Sequence, residues 1–174
     1  MTTLEENKDL CNSWTLWAHL PTAGWTIEDY IKIHTINTVG ECISLTESLD
    51  NSLIAKCSLF YMKDTVLPIW ELSGNDKGGV FSIQIYNDQI AKIWKDLMYA
   101  LAGRCLSPDQ DFVNAIVGIS VSSKVRFVIL KFWMNTTQYQ TPNLFQIPKN
   151  MERISFKTCL FTRHLESRKK EKRY

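Results

Sequence analysis

The sequence predicts an α+β fold, a single antiparallel sheet with helices packed on one of its faces. Seven segments alternate apolar and polar residues, the period of a half-buried strand. Two others carry the helical period of an amphipathic surface helix. These elements follow one another without the strict strand–helix–strand rhythm of a parallel sheet, so the pairing is antiparallel.

In chain order, "SWTLWAHL" (13–20) and "DYIKIHTI" (29–36) alternate and read as strands. "TVGECISLTESL" (38–49) is a short helix with Cys42, Leu45 and Leu49 on its buried side. "CSLFYMK" (57–63) and "VFSIQIY" (80–86) are the next two strands. "NDQIAKIWKDLMYALAG" (87–103) is the strongest helix, with Ile90, Ile93, Trp94, Leu97, Met98 and Leu101 in one stripe. Asn87 offers its N-cap, Asp88 belongs to its first turn and Gly103 stops it. "FVNAIVGISV" (112–121), "KVRFVILKFW" (124–133) and "RISFKTCLF" (153–161) complete the strands. No repeat or low-complexity linker intervenes, so 1–174 reads as one domain with an N-terminal arm (1–10) and a basic C-terminal tail (163–174).

With 174 residues, 45% of them hydrophobic and 22% charged, the chain can bury a core without metal or disulfide support. A net charge of +2 excludes a whole-surface nucleic-acid binder and leaves any anionic ligand to a local patch. Cysteines 11, 42, 57, 105 and 159 are odd in number and never spaced as CxxC; they read as reduced, mostly buried thiols of a cytoplasmic or nuclear protein. The polar start "MTTLEENKDL" is no signal peptide, and no apolar run is long enough to span a bilayer. Asn135 in "NTT" is then a sequon by accident. The tail residues Arg163, Arg168, Lys169, Lys170, Lys172 and Arg173, with Lys157 upstream, read either as a solvated terminus or as an arm on RNA phosphates.

Six tryptophans are more than composition explains. Trp14, Trp17, Trp94 and Trp133 fall in strands or on the helix stripe, where a core accounts for them. Trp25 in "PTAGWT" and Trp70 in "LPIWEL" fall in turn-like sequence instead. Two exposed indoles facing each other make a slot for a flat ring, best a cationic one. Glu71 stands beside Trp70, and a carboxylate matches the adjacent N1–H and N2–H donors of a guanine while compensating a positive ring. An N7-methylated guanine is such a ring. The bland alternative packs both loop aromatics on neighbouring strands.

Several motifs in register resemble the eukaryotic messenger-RNA cap-binding translation initiation factors: "NSWTLWAHL", "GW" at 24–25, "TVGECI" at 38–43, Cys57 with "KD" at 63–64, "PIWE" at 68–71, "KGGVF" at 77–81 and "IWKDLMYALAG" at 93–103. The resemblance runs from about residue 10 to 133. It implies a curved antiparallel sheet with helices on the convex face and the methylated base held on the concave face. There Trp25 and Trp70 would stack the base, Glu71 would pair with its edge and the Trp70 backbone N–H would reach O6. A gapless count from Gly103 puts the family's phosphate-binding arginine on Val121, its phosphate-binding lysine on Arg126 and its methyl-contacting tryptophan on Leu130. Lys124 and Arg126, two apart on a strand, would share the triphosphate; Trp133 faces away from Leu130 and is not substituted for it. The segment 134–150 is short and proline-bearing where the family has a long helix.

For partners, the resemblance implies a helical peptide of a scaffold factor or binding protein on a helical surface of Val39, Ile43, Lys95, Asp96 and Tyr99, with Tyr99 projecting opposite the core stripe near Lys92. Ile43 replaces a tryptophan of the family, and Lys8–Asp9 replace its His-Pro pair, as in a divergent member of cellular or viral origin. The function implied is non-enzymatic cap binding that recruits messenger RNA for translation initiation, the alternatives being a cap-sequestering repressor or a cap-processing enzyme. For the enzyme the chain offers no acidic metal cluster, Gly-rich phosphate loop or paired nucleophile and base, and His19, His34 and His164 are isolated. No cofactor, metal, membrane or DNA partner is implied.

Overall fold

The computed structural model describes residues 8–72, 74–86, 88–124, 126–146 and 154–165. Its strands are β1 (Asp9–His19), β2 (Tyr30–Thr38), β3 (Ser58–Lys63), β4 (Gly79–Tyr86), β5 (Ile116–Ser123), β6 (Phe127–Met134) and β7 (Leu160–Arg163). They form one sheet in the order β2-β1-β3-β5-β6-β4-β7, antiparallel at every pairing. Register shifts in the β1–β2 and β5–β6 pairs add local twist and bend to the curved sheet. The helices are α1 (Val39–Ser48), α2 (Leu53–Lys56), α3 (Ile90–Ala102) and α4 (Gln110–Ala115).

Strand parity divides the sheet into two faces. Trp14 and Leu16 of β1, Leu59 and Tyr61 of β3, Phe81 and Ile83 of β4, Ile119 and Val121 of β5, and Val128, Leu130 and Phe132 of β6 join the helices in the main core. Each large apolar side chain buried there contributes about 1.5–3 kcal/mol. The α3 stripe supplies Ile90, Ile93, Trp94, Leu97, Met98 and Leu101, and α1 supplies Cys42 and Leu45, with Leu49 half-buried at its C-cap. Thr38 caps α1: its hydroxyl accepts from the Glu41 N–H at 3.2 Å, and the Glu41 carboxylate accepts from the N–H groups of Thr38 and Asn37. The opposite, concave face holds a smaller cluster of Phe60, Met62, Val80, Val117 and Trp133.

The sequence reading needs correction at several elements. The first residues of "FVNAIVGISV" belong to α4, because Asp109 accepts from the N–H groups of Asp111 and Phe112, each at 3.0 Å, and caps a helix there. Of the expected strand 153–161, only Leu160 and Phe161 are strand among the described residues, following a 3-10 turn at Phe156–Thr158. Helix α3 begins at Ile90 behind Gln89, so Asp88 precedes its first turn; Asn87 lies outside the described residues. Gly103 is the C-cap in right-handed conformation, and the left-handed residue is Arg104 (φ 57°). The segment after β6 carries a 3-10 turn at Pro142–Leu144, and Phe145 plugs the core against Phe81, Phe112 and Phe132. All five cysteines are unpaired, but only Cys42 and Cys57 are fully buried, whereas Cys11 and Cys105 are exposed.

Candidate ligand-binding site

Phe60 and Trp133 of the concave cluster line a cavity of about 430 Å³. Phe60 and Trp133 meet edge to face at 6.1 Å, and the buried Trp133 indole donates to the Ser120 hydroxyl at 2.9 Å. Tyr30 packs edge-on against Phe60 at 5.3 Å. Trp25, Trp70 and Glu71, three residues from two different loops, all line this cavity. Burial, followed by the negative charges of Glu71 and Asp29, pushes the Tyr30 phenol up to about 12.

Each tryptophan loop is tied down locally. Between β1 and β2, the Asp29 carboxylate accepts from the N–H and the hydroxyl of Thr26, both at 2.8 Å, and these bonds hold it below the usual carboxylate range. A Cβ at Gly24 would meet that carboxylate at 2.7 Å and displace it from its place on Thr26. Between β3 and β4, the buried Asn75 donates to the carbonyls of Leu67 and Ile69, each at 2.8 Å, and its own carbonyl accepts from the Gly78 N–H. A Cβ on Gly78 would fall 1.8 Å from the Met134 carbonyl, so the loop returns to the sheet only through a glycine. Trp70 is thereby held half-buried against the concave cluster, with Glu71 exposed beside it.

The proposed cations and methyl contact come out differently. Lys124 and Arg126 are not on a strand but in the β5–β6 turn, where the Lys124 N–H donates to the Phe127 carbonyl at 2.8 Å. Strand parity therefore does not align them. Lys124 lines the cavity and Arg126 is an exposed turn residue outside its lining. Leu130 is fully buried in the helix-side core, as is Val121, so Leu130 cannot touch a ligand on the concave face. Ile129, Lys131 and Trp133, the opposite parity of β6, line the cavity instead. Lys131 and Trp133 are cavity-lining residues that the gapless count missed. Their signal was in the alternation of "FVILKFWM", where Val128, Leu130, Phe132 and Met134 make one wholly apolar row and Lys131 marks the other.

Residues 9–174 match the profile of the family described as Eukaryotic initiation factor 4E. The chain belongs to this family. It is 28% identical over 115 residues to eukaryotic translation initiation factor 4E-1 of Caenorhabditis elegans, covering 62% of this chain and 54% of that one. With the mouse (Mus musculus) factor 4E type 1B it shares 23% over 156 residues, 84% of this chain and 63% of the relative. It thus spans between 54% and 63% of the length of these curated relatives. Its fold is that of C. elegans eIF4E-3 solved with the 4E-binding protein Mextli and a cap analog, at a TM-score of 0.78, 19% identity and coverage of 93% and 95% of the two chains. Schistosome eIF4E complexed with m7GpppG and 4E-BP is similar at a TM-score of 0.74 and 20% identity, over 93% and 91%.

In this initiation factor 4E family member, the helical surface is less open than the sequence suggests. Ile43 is 42% exposed and borders a groove of about 760 Å³ along α1, also lined by His34, Gly40 and Ser44. Val39 is half-buried at the start of α1. Tyr99 does not project away from the core: it packs partly against it and donates to the Glu47 carboxylate at 2.6 Å, fastening α3 to α1. Asp96 pairs with Lys92 at 2.5 Å, and Lys95 is half-buried beside it. Of the histidines, His34 is exposed, whereas His19 and His164 are buried next to Trp25 and Trp70. The tail beyond Leu165 lies outside the described residues.

Proposed function

We propose that this chain binds the N7-methylguanosine cap of messenger RNA and acts in translation initiation, without catalysing a reaction. The observation that carries the reading is the meeting of Trp25 with the neighbours Trp70 and Glu71, far from it in sequence, around one cavity. A methylated guanine between the two indoles gains stacking and cation–π attraction, strengthened by desolvation. Glu71 accepts from the two donors on the base edge and balances the positive ring. Lys131 within the cavity and Lys124 at its mouth supply positive charge for the triphosphate, with Arg126 on the same turn for phosphates further out. Tryptophan fluorescence titrated with 7-methyl-GTP and with GTP tests this: the methylated ligand quenches and binds at least about 10-fold tighter. Equal binding of both, or of neither, removes the cap reading. In the titration, Trp70→Ala loses about 1–3 kcal/mol of stacking while the fold stays intact. Chromatography of the recovered ligand checks that it leaves unchanged.

Two of the similar structures were solved as complexes with 4E-binding proteins, which supports a partner on the helical face. That partner would be a helical peptide of a scaffold factor or binding protein meeting Val39, Ile43, Lys95, Asp96 and Tyr99. Ile43 carries less area than the tryptophan expected there, which favours a dedicated partner and keeps a cap-sequestering repressor as the second reading. Residues 1–174 would form a single cap-binding domain, with Asp9 and Leu10 of the arm and Arg163 of the basic tail taken into the sheet, and would work in the cytoplasm, the nucleus being the alternative.

A further inference from the structure

His19 is the last residue of β1, only 2% exposed, and its ring lies parallel to that of Trp25, with centroids 4.1 Å apart and planes at 10°. Its Nε2 faces the Gly24 carbonyl, which only accepts, so this nitrogen carries the proton and donates. Trp25 is itself 67% exposed, so little else restrains an indole that an open loop would let rotate. Trp25 and Tyr30 line the cavity and His19 does not, so the indole surface that His19 covers is not the one it offers to the cavity. Tyr30 closes the arrangement, tilted against His19 at 4.9 Å and edge-on to Trp25 at 6.4 Å.

We infer that His19 is a positioning residue for the ligand slot: its ring backs Trp25 and fixes the plane on which the cap base stacks before any ligand arrives. This rests on the proposed cap reading, but the ordering of Trp25 in the free protein does not. The physical reason is entropic. An indole already held flat loses little freedom on binding, whereas a loose one must be immobilised at the expense of affinity. The ring stack fixes the plane, and the bond to the Gly24 carbonyl fixes the distance between β1 and the loop.

The test uses 5-fluorotryptophan-labelled protein, with the Trp25 resonance assigned by Trp25→Phe. In the free protein, His19→Ala and His19→Gln shift and sharpen the Trp25 fluorine line as the indole becomes mobile. His19→Phe, which keeps a ring but no donor, leaves it near its native position. In titrations with 7-methyl-GTP, the Ala and Gln variants weaken binding about 2- to 10-fold and the Phe variant restores it. Melting curves check that each variant folds, and His19→Gln decides the matter if the Ala variant does not. An unmoved Trp25 line in the Ala and Gln variants overturns the inference. So does a Phe variant as impaired as Ala, which would assign the effect to the hydrogen bond alone. If wild-type protein ignores the cap analogue, the functional reading fails while the fluorine lines still decide the role of His19.

Discussion

Asn75 gives both of its amide hydrogens to the carbonyls of Leu67 and Ile69, each at 2.8 Å, and so ties the approach to Trp70 to the turn that leaves Glu71. Asn75→Ala would leave the Ile69 carbonyl buried without a donor, at a loss of about 1–3 kcal/mol in stability. It would also loosen the segment that carries both ligand residues. Urea midpoints and 7-methyl-GTP titrations check this, and an unchanged titration would mean that the loop holds its shape without the clamp. At the same scale, Glu71→Gln keeps the size but turns one acceptor into a donor facing the donors of the base. Affinity for 7-methyl-GTP should fall about 10-fold; wild-type binding would mean that the carboxylate points elsewhere. Trp25, Trp70 and Glu71 were legible in the sequence because no strand or helix pattern could bury a tryptophan in those loops. Asn75 and His19 were not. A polar residue in a turn reads alike whether it faces water or clamps carbonyls, and the parity that puts His19 beneath Trp25 depends on how the loop folds back.

The alternation of strand β6 decides which side chains meet the ligand. Counting from a distant anchor assigned Leu130 to the site, but a shift of a single residue exchanges the two faces of a strand. The wholly apolar row through Leu130 faces the helices, and the row through Lys131 faces the cavity. The two substitutions therefore separate. Leu130→Ala should cost about 2–5 kcal/mol of stability by opening a core cavity, yet leave cap affinity of the folded protein unchanged. Lys131→Ala should spare the fold and weaken 7-methyl-GTP about 10-fold, with little effect on 7-methyl-GMP and a flatter salt dependence. Equal losses for both nucleotides would take Lys131 away from the phosphates. The first six strands and the two long helices were legible because their periods are local, whereas the last strand is set by its pairing with β4. Helix α4 was misread because the mostly apolar "FVNA" runs straight into β5, although Asp109 ahead of it is a helix-start signal.

At the scale of the whole molecule, the C-terminal end of the described chain meets its middle beside the site. Strand β7 pairs Arg163 with Gly79, and the His164 N–H donates to the Gly78 carbonyl at 3.1 Å, so a residue that reads as part of a solvated basic tail is carried into the interior. Only long-range pairing does this, which is why no local pattern announced it. His164 is 4% exposed, with its ring 5.3 Å from Trp133 and 6.4 Å from Trp70, and its Nε2 has no hydrogen-bond partner among the described residues. Burial, and then the charge of Lys131, pull its pKa down to about 4. At neutral pH it is uncharged in both folded and unfolded chains. Below the ordinary histidine value of about 6.5 the unfolded chain takes up a proton that the folded one refuses. Stability is therefore fully present above that value and is lost as the pH falls towards about 4, by an amount on the order of 3 kcal/mol. His164→Phe removes the titration and keeps a ring behind Trp70. Urea midpoints measured from pH 7 to 4.5 should fall more steeply for the wild type than for this variant, with the difference confined to the range below about 6.5. Parallel curves would mean that His164 is protonated as readily in the folded chain as in the unfolded one, and that the C-terminal strand does not seal the back of the tryptophan loop.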